Sequence, residues 1–109
     1  MNTDLKFEQE EGDEGCTLLR VYGDVTIQTS PKLREQLKPL LGTSTKEIHV
    51  ALEHVDFMDS SGIATLVEGL QWARMTGGRF VLSGLSENVR DVFELAKLDT
   101  VFEIEESPA

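Results

Sequence analysis

The stretch from His54 to Gly62 gathers an imidazole, two carboxylates and two hydroxyls in His54, Asp56, Asp59, Ser60 and Ser61, and ends in glycine. Such residues could supply a nucleophile with its base, an acid pair, or an acceptor for covalent modification. A serine nucleophile needs a base within hydrogen-bond reach and donors for the oxyanion, and the Gly-x-Ser-x-Gly elbow that presents one is absent. His54 precedes Ser60 by six positions, but no third group is placed to orient it. Asp56 and Asp59 flank a loop with no substrate-pocket signature and read as solvated or capping acids. Cys16, His49 and His54 are too few and too scattered for a structural zinc site. No phosphate-cradling loop of the Walker or Gly-x-Gly-x-x-Gly type occurs. No catalytic residue, metal ligand or cofactor is assigned, and the chain is expected not to be an enzyme.

What remains is modification or binding, and both depend on where the serines sit. Upstream, Ile48, Val50 and Leu52 alternate with Glu47, His49 and Ala51, which is strand spacing. Downstream, Ile63, Leu66, Val67 and Leu70 follow the spacing of one helix face. The serine pair therefore falls at a strand-to-helix junction, over backbone N–H groups that lack helical partners. Two readings are open. Ser60 or Ser61 is an N-cap, with Gly62 easing the turn. Alternatively, an exposed hydroxyl here is a phosphorylation site, since a phosphate would meet oriented N–H groups and the positive end of the helix dipole. One serine can cap while the other is modified.

The rest of the chain supplies the frame. Leu5 and Phe7 alternate with charged residues, the acidic run Glu10-Glu11-Gly12-Asp13-Glu14-Gly15 reads as a solvated turn, and alternation resumes from Cys16 to Tyr22, giving an antiparallel hairpin. Cys16 reads as a small buried strand residue. Ser30-Pro31 is a helix start, with Ser30 as N-cap and Pro31 at the first position. Leu33, Leu37, Leu40 and Leu41 mark that helix's buried stripe, Pro39 interrupts its last turn, and Gly42 with Thr43 and Ser44 closes it. Gly77-Gly78 caps the central helix, on which Trp72 reads as partly buried packing. Arg79 to Leu82 is a short strand. Ser86 caps a helix carrying Val89, Val92, Phe93 and Ala96, and Val101 to Ile104 is a last strand. Strands alternating with helices after a hairpin imply an α/β fold: a mixed, mostly parallel sheet with right-handed crossovers, an antiparallel N-terminal hairpin, and helices around it.

Length and charge bound the rest. The 109 residues suit one domain, 1–109, with a core over about 5–104. Twenty acids against ten bases give a net charge of −10, which argues against nucleic acid or an anionic membrane as partner and favours a basic or mixed protein surface. No apolar run approaches the roughly 20 residues of a membrane span, and the N-terminus has no signal-peptide core. A cytoplasmic protein with no direct membrane insertion is expected.

Phe57-Met58-Asp59-Ser60-Ser61-Gly62, followed by a helix of Ile, Ala, Leu and Val, resembles the STAS domain of bacterial anti-sigma-factor antagonists. The resemblance extends over about residues 5–104, including Gly77-Gly78 before a strand and the run from Leu82 to Asp99. It implies a regulator whose unmodified form binds an anti-sigma factor that is also a serine kinase, releasing the sigma factor. Phosphorylation of the first serine of the motif would end binding, and a serine phosphatase would restore it. Carried over by position, the phosphoacceptor is Ser60 and Ser61 is the cap. The implied partner surface comprises Asp24, Thr26, Asp56, Met58, Asp59, Ser61, Gly62, Ile63 and Thr65. Many members end their second strand in Gly-Glu-Leu-Asp; here Gly23-Asp24-Val25-Thr26 replaces the last acid by Thr26 and leaves Asp24 as the nearby carboxylate. The alternative implied by the wider family is a STAS subunit regulating a transporter ATPase, or a self-assembling scaffold, without serine phosphorylation.

Overall fold

Alternating apolar residues at Ile48, Val50 and Leu52 belong to β3 (Glu47–His54), the middle strand of a five-stranded sheet ordered β1-β2-β3-β4-β5 in the computed structural model, which describes residues 4–41 and 45–106. β1 (Lys6–Glu11) and β2 (Cys16–Tyr22) form the antiparallel hairpin, while β2, β3, β4 (Arg79–Ser83) and β5 (Glu103–Glu105) run parallel. Each parallel step is bridged by a helix, as parallel pairing requires: α1 (Ser30–Leu41), α2 (Ser60–Met75) and α3 (Glu87–Leu95).

Register decides which residues meet the helices. The pairings align Leu19, Val50, Leu82 and Ile104 in one row and Thr17, Ile48 and Phe80 in another on the same face. Gly69 of α2 lies close to Phe80 and to Leu37 of α1, while Phe93 of α3 packs on Phe102, which meets Phe80. Leu19, Leu37, Ile48, Val50, Leu66, Leu82 and Phe93 are fully buried there. The opposite face carries the charges: Arg20 pairs with Glu10, and Arg79 bonds to Glu47 and Glu103. The two faces follow from the period of two along each strand, and near the middle of the sheet Ala51, Val81 and Ser83 of the charged face are buried as well.

Several local expectations change in the folded chain. Ser30 is the first helical residue, and the backbone carbonyl of Thr26 accepts its N–H at 2.7 Å, so the turn before it, not its side chain, starts α1. The helix runs through Pro39 to Leu41, with Leu33, Leu37 and Leu41 buried and Leu40 half-buried. The expected stop at Gly42, Thr43 and Ser44 lies outside the described residues. β1 extends through Glu10 and Glu11, which shortens the acidic turn to Gly12–Gly15, and Cys16 is half-buried rather than buried. On α3 only Val89 and Phe93 are buried, and Val92 and Ala96 face outward. The last strand begins at Glu103, because Leu98–Thr100 form a 3-10 turn that leaves Val101 exposed.

Two caps are as expected. Gly77, at φ +74°, donates to the Arg74 carbonyl and Gly78 to the Ala73 carbonyl, closing α2 with a left-handed residue that glycine tolerates. Ser86 accepts from the Val89 N–H at 3.4 Å and donates to the Val55 carbonyl at 2.6 Å, tying α3 to the end of β3. Trp72 is half-buried, with the Arg34 guanidinium 5.5 Å from its ring centre, as packing predicts.

Candidate functional site

Two loops meet at the carboxyl end of β2 and β3. The Val25 N–H donates to the Phe57 carbonyl and the Asp59 N–H to the Val25 carbonyl, both at 3.0 Å, so Val25 and Met58 form an isolated parallel bridge. Asp24, Thr26, Asp56 and Asp59 are thereby gathered around the start of α2. Thr26 serves its own loop: its hydroxyl accepts from the Gln28 N–H at 3.2 Å, and its N–H donates to the Thr29 hydroxyl at 2.9 Å. The Thr29 hydroxyl in turn donates to the Asp24 carbonyl at 2.7 Å.

The residue at the centre of this junction is Asp59. It is the N-cap of α2, with extended backbone (φ −93°, ψ −175°), and Oδ1 accepts from the Ser61 N–H at 2.9 Å, the Gly62 N–H at 3.3 Å and the Ser61 hydroxyl at 2.6 Å. Oδ2 accepts from the Ile27 N–H at 3.0 Å, so one carboxylate caps the helix and pins the neighbouring loop. This corrects the assignment of the cap to a serine. Aspartate ranks with serine as an N-cap and its second oxygen reaches a further donor, so it takes the role. The Ser61 hydroxyl holds Asp59 below the usual aspartate range, helped by the N–H groups of Gly62, Ile27 and Ser61 and opposed by burial.

Ser60 differs from Ser61. It is the first residue of α2, it is exposed, and its hydroxyl makes no hydrogen bond among the described residues, whereas the Ser61 hydroxyl is committed to Asp59. Two of the N–H groups expected to greet a phosphate, those of Ser61 and Gly62, are already held by Asp59. The junction offers a free hydroxyl beside a fixed carboxylate.

The proposed contact residues divide by burial. Asp24 and Asp56 are exposed, Thr26, Asp59, Ser61 and Ile63 are half-buried, and Met58, Gly62 and Thr65 are buried within the chain. Thr65 donates to the Ser61 carbonyl at 2.9 Å, and Gly62 lies where an added Cβ would fall 2.6 Å from Met58 Cγ and 2.7 Å from Val25 Cγ1. Gly62 thus permits close helix-to-loop approach rather than easing a turn. Those three residues build the platform and do not form its outer surface. Ile27 and Phe57, outside the partner surface implied by the sequence, are 75% and 53% exposed on the two bridged loops. Ile27 stands between the polar Thr26 and Gln28, whereas Phe57 stands between Asp56 and the apolar Met58, so no common pattern marks the pair in the sequence. No group of three or more His, Cys, Asp or Glu is placed to hold a metal ion among the described residues, and no helix there is long and apolar enough to cross a membrane.

The pH dependence of the cap is testable with Asp59→Asn, which keeps a capping oxygen but removes the charge. Because the folded carboxyl is held low, its charge contributes stability above the unfolded aspartate range, and that contribution is lost as pH falls through the folded value. The parent should exceed the variant in stability at pH 7, with the gap closing below about pH 4. Chemical denaturation at several pH values checks this; a gap that is unchanged down to pH 2 would remove the charge from the account.

Comparison with known proteins agrees with the fold. The family model described as the STAS domain matches residues 9–109. An anti-sigma-B factor antagonist of Bacillus subtilis (strain 168) is 28% identical over 104 residues, covering 95% of this chain and 92% of its own. The crystal structure of an anti-sigma factor antagonist from Mycobacterium paratuberculosis superposes with a TM-score of 0.85 at 21% identity, covering 100% of this chain and 90% of that one. The phosphorylated form of the Bacillus cell fate determinant SpoIIAA superposes with a TM-score of 0.70 at 21% identity, covering 91% and 90%.

Proposed function

Because the chain belongs to the STAS domain family, we propose that it is an anti-sigma-factor antagonist, cytoplasmic and non-enzymatic, switched by phosphorylation of Ser60. Its unmodified form binds an anti-sigma-factor serine kinase and frees the sigma factor; the phosphorylated form does not bind, and a serine phosphatase resets it. One observation carries the choice of Ser60: of the two adjacent hydroxyls, that of Ser60 is exposed and makes no hydrogen bond among the described residues, while Ser61 donates to Asp59 at 2.6 Å. The relatives named as antagonists supply the functional class, and the likeness to a phosphorylated structure supports the fold's tolerance of the modification.

The physics of the switch is local. A phosphate on Ser60 adds a charge of about −1.5 to −2 beside Asp59, on a platform that also carries Asp24 and Asp56. Asp59 retains the Ser61 and Gly62 N–H groups, so the new charge stays at the surface and the cap survives. A docking surface built on Ile27, Phe57, Ile63 and the flanking acids then meets a partner with an extra, heavily hydrated anion at its centre. The fold is unchanged and the interface is lost.

Titration of the partner kinase by calorimetry tests this with two variants. Ser60→Ala should bind within about twofold of the parent, whereas Ser60→Asp should bind at least about tenfold more weakly, a loss of roughly 1.4 kcal/mol or more. Both should melt near the parent, since Ser60 is exposed. Parent-like binding by Ser60→Asp would argue against a charge switch at this position.

A further inference from the structure

Of the large exposed apolar residues, Ile27 and Phe57 lie at the Ser60 platform and Met75 ends α2, whereas Val92 and Leu95, at 37% and 85% exposed, belong to α3, and Val101, at 44%, closes the 3-10 turn that follows it. Val92 and Leu95 are one helical turn apart on α3, and Ala96, its C-cap, is exposed beside them. The same segment is strongly anionic. Residues 87–106 hold seven acids against two bases, a net −5 in a chain whose total is −10. Arg79 takes up Glu103, and Arg90 reaches Glu106 at 3.6 Å. Asp91 and Glu94 on α3 and Asp99 on the turn have no cation among the described residues. Beside them, a cavity of about 140 Å³ has Leu85, Phe93 and Ile104 in its walls and Arg90, Glu94, Asp99 and Glu106 as its polar lining, with Arg90 turned to Glu106.

We infer that the outer face of α3 with its following turn is a second docking surface, for a basic amphipathic helix of a partner protein. Exposed apolar residues flanked by carboxylates in excess over the bases, and themselves in no ion pair among the described residues, fit a helix that presents leucine-like residues to Val92, Leu95 and Val101 and lysine or arginine to Asp91, Glu94 and Asp99. A second copy of this chain is a poor occupant, because two −10 molecules repel and this face is itself acidic. The surface is separate from the phosphorylation site. Ser86 ties the start of α3 to Val55, and Leu95 lies about 12 Å further along the helix. Occupancy of α3 is therefore independent of the state of Ser60, and a chain docked there can remain attached while the kinase is exchanged.

The test uses the whole chain, isotope-labelled, titrated with a synthetic helical peptide of leucine and lysine and followed by backbone amide shifts. Saturable shifts confined to residues 91–101 are expected. They should be weakened about tenfold or more by Leu95→Ser and by the pair Asp91→Asn with Glu94→Gln, reduced by salt, and unaltered by Ser60→Asp. The glutamate-for-lysine counterpart of the peptide should not bind. Leu95 is exposed, so its replacement leaves the fold intact. Four results would overturn the inference: no binding, shifts centred on Ile27, Phe57 and Ser60, shifts indifferent to Leu95→Ser, or concentration-dependent α3 shifts in the free protein. The last of these would assign the face to self-association.

Discussion

Leu66→Ala should lower unfolding stability by about 2 to 5 kcal/mol, with a fall in the melting midpoint of roughly 10 °C or more. Leu66 is 0% exposed in the stripe of α2 that faces the sheet, and it is flanked on that stripe by Gly62, Thr65, Gly69 and Leu70. Two of those neighbours are glycines already at contact distance from their surroundings. Gly69 would place a Cβ 2.9 Å from Phe80, and Gly62 would place one 2.6 Å from Met58. A helix seated this closely cannot move inward to fill the space a leucine leaves, so the cavity penalty adds to the lost transfer free energy. Denaturant unfolding monitored at Trp72 measures it. A loss below about 1 kcal/mol would mean that α2 resettles and is less tightly fixed than its contacts indicate.

Gly62→Ala attacks the same helix from the other side, by excess. The new methyl carbon would stand 2.6 Å from Met58 Cγ and 2.7 Å from Val25 Cγ1, both well inside van der Waals contact. Met58 is flexible and can rearrange, but Val25 is β-branched, fully buried, and held by backbone hydrogen bonds to Phe57 and Asp59. Relief therefore requires moving the first turn of α2 away from the bridged loops. A cost of about 1 to 3 kcal/mol is expected, against the usual gain in helix propensity from glycine to alanine. The effect on kinase binding should be larger than the stability loss alone suggests, because the displaced turn carries Ser60, Ser61 and Ile63. The expected result is a folded variant, by circular dichroism, with at least about tenfold weaker binding. Parent-like stability and binding together would show that the close approach at Gly62 does not position the site.

How much of this was legible in the sequence depends on the length of pattern available. Ile48 to Leu52 and Ile63 to Leu70 each span enough residues for period two or period 3.6 to stand out, and both elements are present as read. The start of α2 was harder, because Asp59, Ser60 and Ser61 are all capping types. The winner is set by a tertiary contact, the Ile27 N–H on the second carboxylate oxygen, 32 residues away in the chain. Val92 and Ala96 fit a buried pattern by spacing but are exposed. The three-residue β5 and the turn before it give α3 only a narrow surface to cover, and Val89 and Phe93 fill it. Pro39 is expected to interrupt the last turn of α1; as the third residue from the helix end it removes one hydrogen bond while the remaining turn continues. Ile27 and Phe57 had no pattern to betray them, since exposure in a loop is decided by what the loop packs against.

The account stands or falls on Ser60, and the most direct measurement is intact-mass and peptide mass spectrometry after incubation with ATP and the partner kinase. One added phosphate, mapped to Ser60 and absent from Ser60→Ala, with loss of the kinase complex as it accumulates, is the predicted result. A phosphate mapped to Ser61, or a kinase complex that persists after Ser60 is fully phosphorylated, would contradict it.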